Sequence, residues 1–195
     1  MKLQQVAAIS PGHPFRGKIP NKTDTQLAAV QMKDVTPGEK IRWQECITTE
    51  LTGKRNPDWL QPGDILVAAR GNRNYAVRVD EELVDLGLRA VAAPHFYIVR
   101  TTRANLLPEF LTWLLNQRPC QRYFEQSAEG TLTKSIRRQV LEETPIALPS
   151  LEKQRAIIGI ANTLRREQLA AQQLIQNGEQ LMNAVAKDLF NKEVI

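Results

Sequence analysis

The side chains in this sequence best equipped to act on another molecule are cations and amides set in turns: Arg70-Gly-Asn-Arg-Asn74, Thr131-Leu-Thr-Lys134 running into Arg137-Arg138, and Arg16-Gly-Lys18. Guanidinium and carboxamide groups match the paired donors and acceptors of guanine and adenine edges, whereas Lys, Thr and backbone amides suit phosphates. Arg70, Asn72, Arg73 and Asn74 are therefore candidate base readers, and Arg16, Lys18, Lys134, Arg137 and Arg138 candidate phosphate contacts. An ordinary solvated loop carries the same residue types, so each cluster alone leaves both readings open.

Catalytic equipment is hard to find. Gly12-His-Pro-Phe-Arg-Gly17-Lys18 has the spacing of a phosphate-cradling loop, but Ile19 stands where the magnesium-binding hydroxyl belongs and Pro20 follows at once. Such a loop must run into a helix so that its amides and dipole meet the phosphates, and Pro14, Pro20 and Asn21 make a poor helix entry. His13 and His95 lie in different segments, and His95, in an apolar run, reads as a core histidine. No lysine has Asp or Glu two positions before it, which excludes the metal-dependent nuclease signature. Asn56-Pro-Asp-Trp59 lacks the second proline of an amino-methyltransferase motif and reads as a turn before a buried Trp59. Cys46 and Cys120 have neither disulfide-framework nor zinc spacing and read as reduced, partly buried thiols. A binding or scaffolding role with no metal and no cofactor is expected, rather than an enzyme.

The chain has 195 residues, 42% apolar and 24% charged, an ordinary globular composition long enough to bury a core without disulfides. Its formal charge of +5 is compatible with an anionic partner. No apolar stretch approaches the roughly 18 to 20 residues of a membrane span, and Met1–Ile9 is too interrupted for a secretory segment, so a cytoplasmic location without membrane contact is expected.

Composition changes at residue 150. Every Pro, Trp and Tyr lies before it, while residues 151–195 are rich in Gln, Ala, Leu, Ile and Asn. In the first part, Ile65–Ala69, Ala76-Val77 and His95–Val99 read as strands punctuated by Gly and Pro. A helix starting near Pro108 would bury Phe110, Leu111, Leu114 and Leu115 and stop before Pro119. The expected fold is α+β: a mixed α/β domain over 1–150 followed by a long coiled-coil-type helix over 151–195.

In that helix Ile157, Ala161, Leu164, Gln168, Ala171, Ile175, Gly178, Met182, Val185 and Leu189 recur at alternating steps of four and three, the spacing of a coiled-coil seam. Ser150 is placed to cap its start. Forty helical residues would extend roughly 60 Å, more than the diameter of so small a domain, so part of the seam must face another helix. Gln176-Asn-Gly178 could instead end one helix and begin a second, since Gly costs about 1 kcal/mol relative to Ala in a helix interior.

Four segments together resemble the target-recognition domain of the DNA specificity subunits of type I restriction-modification systems. They are Pro62-Gly-Asp-Ile-Leu-Val-Ala-Ala-Arg-Gly71, Pro108-Glu-Phe-Leu-Thr-Trp-Leu-Leu115, Glu129-Gly-Thr-Leu-Thr-Lys-Ser-Ile136, and Leu141 to Ile157, where a strand and Leu-Pro lead into a helix start containing Gln154. Leu3–Ile9 is similar to the family's opening, and residues 20–58 match nothing, as suits a segment that sets the target sequence. The resemblance implies a non-catalytic subunit that binds double-stranded DNA and directs a DNA methyltransferase subunit to it, with a restriction subunit as a further potential partner.

Full-length members carry two recognition domains and two spacer helices, whereas this sequence has one of each. It resembles half a specificity subunit, and a homodimer with antiparallel helices would restore the full arrangement. The seam residues, Ile157, Ala161, Leu164, Ala171, Ile175, Met182, Val185 and Leu189 foremost, would supply the surface. The alternative is a regulatory or decoy half-subunit that binds the methyltransferase or a longer specificity subunit without reading DNA alone.

Overall fold

Ile65-Leu-Val-Ala68, bounded by Pro62-Gly63 before it and Arg70-Gly71 after it, forms a strand in which every residue is buried. The structure, a computed structural model, describes residues 1–36, 40–51, 56–71, 73–130 and 134–193. Strands β1 (Ala7–Pro11), β4 (Ile65–Ala68), β5 (Ala76–Arg78) and β7 (Phe96–Thr101) make an antiparallel sheet in the order β1-β7-β4-β5. Strands β2 (Leu27–Val30), β3 (Ile47–Thr48) and β6 (Arg89–Ala92) make a second sheet in the order β3-β2-β6, with β2 and β6 parallel. Side chains alternate across a strand. Leu66 and Ala68 of β4, Phe96 and Ile98 of β7, and Val30 and Ala92 of the second sheet thereby share one buried cluster with Ile41, Trp43 and Leu60.

At the end of β1 the backbones of Gly12 and His13 donate to Phe96 O (2.9 Å) and Ala92 O (2.7 Å). A Cβ on Gly12 would sit 2.1 Å from Ala93 O, so only glycine permits this crossing. The glycine serves packing, and residues 14–26 then run on without any helix that could receive a phosphate.

Helices α1 (Glu82–Asp85), α2 (Pro108–Leu115), α3 (Arg118–Ser127) and α4 (Arg138–Glu142) complete the first part. Pro108 opens α2, which buries Phe110, Leu111 and Leu115 and leaves Leu114 half-buried. Pro119 stops nothing by itself: it lies in the first turn of α3, where a missing N–H breaks no helical bond. Cys46 and Cys120 are both buried and unpaired with each other. Two corrections concern rings. His95 is exposed at the turn entering β7, because the apolar run begins one residue later, and the buried histidine is His13, edge-on to Phe15. Trp59 is half-buried, with the Arg89 guanidinium 3.8 Å from its ring centroid.

Two compact units result, Met1–Gln154 and Arg155–Ile195. Helix α5 (Leu151–Glu193) begins in the first and forms the second, unbroken through Gly178. Ser150 Oγ accepts from Lys153 N at 3.4 Å, a long cap. The stronger attachment is Gln154, whose side chain is fully buried: Oε1 accepts from Leu107 N (2.9 Å), and Nε2 donates to Asn105 O and Pro149 O (2.8 Å each). Among the described residues no helix is long and apolar enough to cross a membrane.

Gln154→Leu would fill similar space and leave the Leu107 N–H without its acceptor. The expected loss is about 1 to 3 kcal/mol, measured as a lower urea midpoint for the Met1–Gln154 unit. A midpoint unchanged from the parent chain would show that these bonds contribute nothing.

Burial pushes the Cys46 thiol up to about 12, helped by the negative charges of Asp34 and Glu45, and burial alone pushes Cys120 up to about 11. Both favour the protonated thiol in the folded state. Their contribution to stability is intact below the ordinary thiol value of 9.0 and is lost as pH rises through 11 to 12. At pH 8 the folded chain should leave both thiols unreactive towards a disulfide reagent, and denaturant should release both. Rapid reaction of either one without denaturant would contradict the packing.

Candidate nucleic-acid interface

The connection from β4 to β5 carries Arg70 and Arg73, both exposed, and is braced from several sides. Ala68 N donates to Tyr75 O (2.9 Å), and Asn74 Nδ2 donates to Ala68 O (2.8 Å). Asn116, at the end of α2, pairs with the free edge of β5: its Oδ1 accepts from Ala76 N (3.0 Å) and its Nδ2 donates to Ala76 O (2.8 Å). From α3, Gln121 Nε2 donates to Asn74 O (2.9 Å). A side-chain amide thus does what a further strand would do, and the turn is held by groups from two helices.

The two cationic clusters, more than sixty residues apart in sequence, meet through backbone pairing. Gly71 N donates to Lys134 O (3.0 Å), Ile136 N donates to Ala69 O (2.9 Å), and Arg70 lies opposite Ser135 in an antiparallel bridge. Gly71 has φ +117°, a left-handed conformation that disfavours any side chain, and a Cβ there would press on Met32 Cε at 3.2 Å. One surface therefore presents Arg70, Lys134, Arg137 and Arg138, all exposed. Arg137 pairs with Glu129 (2.7 Å) and Arg138 with Glu142 (2.7 Å).

Tyr97 of β7 joins them, its hydroxyl donating to Ile136 O at 3.3 Å. Partial burial pushes the phenol up, against the lowering effects of the Arg138 backbone and of the positive charges on Arg138 and Arg70. His95 stands beside the same turn, its carbonyl accepting from Ala69 N (2.7 Å). Neither ring belongs to a basic cluster in the sequence. Only the position of Tyr97 on β7, the neighbour of β4, and of His95 at the turn entering it brings them here.

Of the sequence candidates, Arg70, Lys134, Arg137 and Arg138 come together, and Arg73 is exposed on the same β4–β5 connection. Asn74 is a correction: it is buried, and its carboxamide closes the turn by bonding Ala68, so it has no free edge for a base. Asn72 and Thr131–Thr133 lie outside the described residues. Arg16 and Lys18 are exposed in the loop after β1, and no bond links that loop to the Arg70 surface among the described residues. Among the described residues no group of three or more His, Cys, Asp or Glu could hold a metal ion.

In the second unit most seam residues are open to solvent. Leu164, Ile175, Met182, Val185 and Leu189 are between 45% and 65% exposed, and Ile157 and Ala161 are half-buried.

No protein-family model matches the chain, and neither does any curated protein. Solved structures do. A chain from a structure described as the basis of complex assembly and conformational transition of the type I R-M system matches 98% of this chain and 44% of its own length, at TM-score 0.71 and 17% identity. The HsdS subunit from Thermoanaerobacter tengcongensis matches over 87% of this chain and 37% of its own, at TM-score 0.59 and 19% identity. The type I restriction-modification S subunit from M. genitalium matches over 100% and 46%, at TM-score 0.55 and 17% identity. The chain thus spans less than half the length of each. The resemblance read from the sequence holds at the level of architecture: a mixed α/β domain and a long carboxy-terminal helix, in the fold of the type I specificity subunits.

Proposed function

We propose that this chain reads DNA sequence as a specificity subunit of a type I restriction-modification system, working as a two-fold dimer that directs a separate DNA methyltransferase, and a nuclease where one is present, to a bipartite site. The observation that carries this is the pairing of Ala69–Gly71 with Lys134–Ile136, which gathers Arg70, Lys134, Arg137 and Arg138 onto one surface of a fold shared with HsdS. Arg70 and Arg73 act as base readers on the braced turn. Lys134, Arg137 and Arg138 contact phosphates, and Arg16 and Lys18 add positive charge from the loop after β1. The acidic partners of Arg137 and Arg138 do not block this role. Exposed ion pairs are worth at most about 1 kcal/mol, and a phosphate can take the place of either carboxylate.

The second unit supports the dimer. A 43-residue helix is about 65 Å long, and Leu164, Ile175, Met182, Val185 and Leu189 lie exposed along its seam. Two copies side by side would hold identical readers apart by roughly 1.5 to 2 turns of duplex, taking about 34 Å per turn. Selection of bound oligonucleotides is expected to return an inverted repeat with an unread centre. An uninterrupted or asymmetric site would overturn the two-fold reading.

On the selected site, Arg73→Ala should cost about 1 to 3 kcal/mol and relax one base position, whereas Lys134→Ala should weaken cognate and random duplex alike and lower the salt slope by about one. Fluorescence anisotropy across a salt series separates the two. A chain that binds the methyltransferase and no duplex would replace this reading with that of a regulatory half-subunit.

A further inference from the structure

Residues 20–58 supply none of the cations placed on the interface, yet they reach the turn that carries Arg70 and Arg73. The register of the two sheets explains how. Val30, the last residue of β2, accepts from Ala93 N (2.9 Å), Ala93 O accepts from Phe96 N (3.1 Å), and Phe96 pairs with Ala68, the last residue of β4. The chain leaving β2 therefore runs beside the chain leaving β4. There Met32–Asp34 form a single turn of 3-10 helix, closed by Asp34: its carboxylate accepts from Gln31 N (2.9 Å) and its carbonyl from Arg42 N (2.8 Å).

Met32 meets the reading turn twice. Its side chain, half-buried against the core, brings Cε to Gly71, where a Cβ would lie 3.2 Å from it. Its carbonyl accepts from the Tyr75 hydroxyl (3.4 Å), at the far end of the same β4–β5 connection. Burial, with the negative charge of Asp34, pushes the Tyr75 phenol up to about 12, so the hydroxyl stays protonated and able to donate. Gly71 also donates its N–H to Lys134 O (3.0 Å). Two neighbours therefore fix Gly71: the Met32 methyl and the backbone that brings in Lys134, Arg137 and Arg138. Glycine has the least conformational restraint of its own, so its surroundings must supply it.

We infer that Met32 is a positioning residue for base reading: its side chain fixes Gly71, and with it the aim of Arg70 and Arg73, without itself touching DNA. The inference rests on the DNA-reading function proposed above and adds a determinant of its specificity. A binding constellation must be held within about 0.5 Å of its productive geometry, and an unbranched thioether side chain fills an irregular gap that a shorter one would leave open. Random duplex is held by charge, and no charge changes when Met32 is shortened. Discrimination should therefore fall while non-specific binding stays.

The test compares Met32→Ala, Met32→Leu and Tyr75→Phe with the parent chain, by anisotropy on the selected and random duplexes across a salt series and by amide hydrogen exchange at Gly71. Met32→Ala should lower the selected-to-random affinity ratio roughly tenfold, the scale of one lost base contact. Random affinity and salt slope should stay as they are, and Gly71 should exchange faster. Met32→Leu, close in volume, should recover most of the ratio. Tyr75→Phe keeps its ring edge-on to Phe96, with centroids 6.4 Å apart, and removes only the bond to Met32 O. It should lower the ratio in the same sense by a smaller factor, and it decides the matter if Met32→Ala does not fold. An unchanged ratio overturns the inference, and so does an equal loss on both duplexes, which a merely structural role would give. A parent chain that binds no duplex overturns the reading function and this inference with it. A parent that discriminates, beside a folded Met32→Ala chain that discriminates equally, overturns this inference alone.

Discussion

A buried carboxamide must find partners for both of its ends, and Gln154 finds three within the first turn of α5. Its acceptor is matched to the backbone N–H just before α2, and its donors to two carbonyls that a turn would otherwise leave unpaired. Unpaired buried polar groups cost more than a formed hydrogen bond returns, so the arrangement tolerates little sliding. The start of α5 is thereby fixed to the same loop that launches α2, and α2 in turn carries the Asn116 amide that closes the edge of β5. A chain of polar contacts thus runs from the first turn of α5 to the turn that carries Arg70 and Arg73.

The cationic surface is organised by backbone rather than by charge. Side chains of like sign repel, and nothing in their mutual interaction would gather Arg70, Lys134, Arg137 and Arg138. What gathers them is the bridge of Ala69–Gly71 to Lys134–Ile136, made possible by the left-handed backbone at Gly71. Glu129 and Glu142 then neutralise part of the local charge. Because these pairs are exposed, exchanging a carboxylate for a phosphate requires little desolvation. The surface is set by backbone hydrogen bonds that salt does not screen, whereas the exposed charges it presents are screened by salt.

The parts of this architecture legible in the sequence are those with strong local signals. Ile65–Ala68 has a continuous apolar run between turn residues, Pro108 marks a helix start, and residues 151–193 keep one period throughout. The second sheet had no such signal. Its paired strands are Leu27-Ala-Ala-Val30 and Arg89-Ala-Val-Ala92, and alanine is depleted in strands generally, so only tertiary pairing makes them strands. The site divides in the same way. Residue type identified Arg70, Lys134, Arg137 and Arg138 as cations in turns, but Asn74 has the same chemistry and is consumed by the fold. His95 is exposed for want of one residue in the strand boundary. Tyr97 and Asn116 matter through neighbours forty residues away, a relation no local pattern carries.

Gly178 shows that a long helix can carry a position its own propensities disfavour. Within a helix interior it costs about 1 kcal/mol relative to Ala, and forty-three residues of otherwise unbroken helix absorb that cost. A Cβ there would meet open space among the described residues, so no close approach within the chain requires the missing side chain. The continuity of α5 is therefore set by the length of the helical run rather than by the residue at any one position, since a helix once nucleated gains a hydrogen bond for each residue it adds.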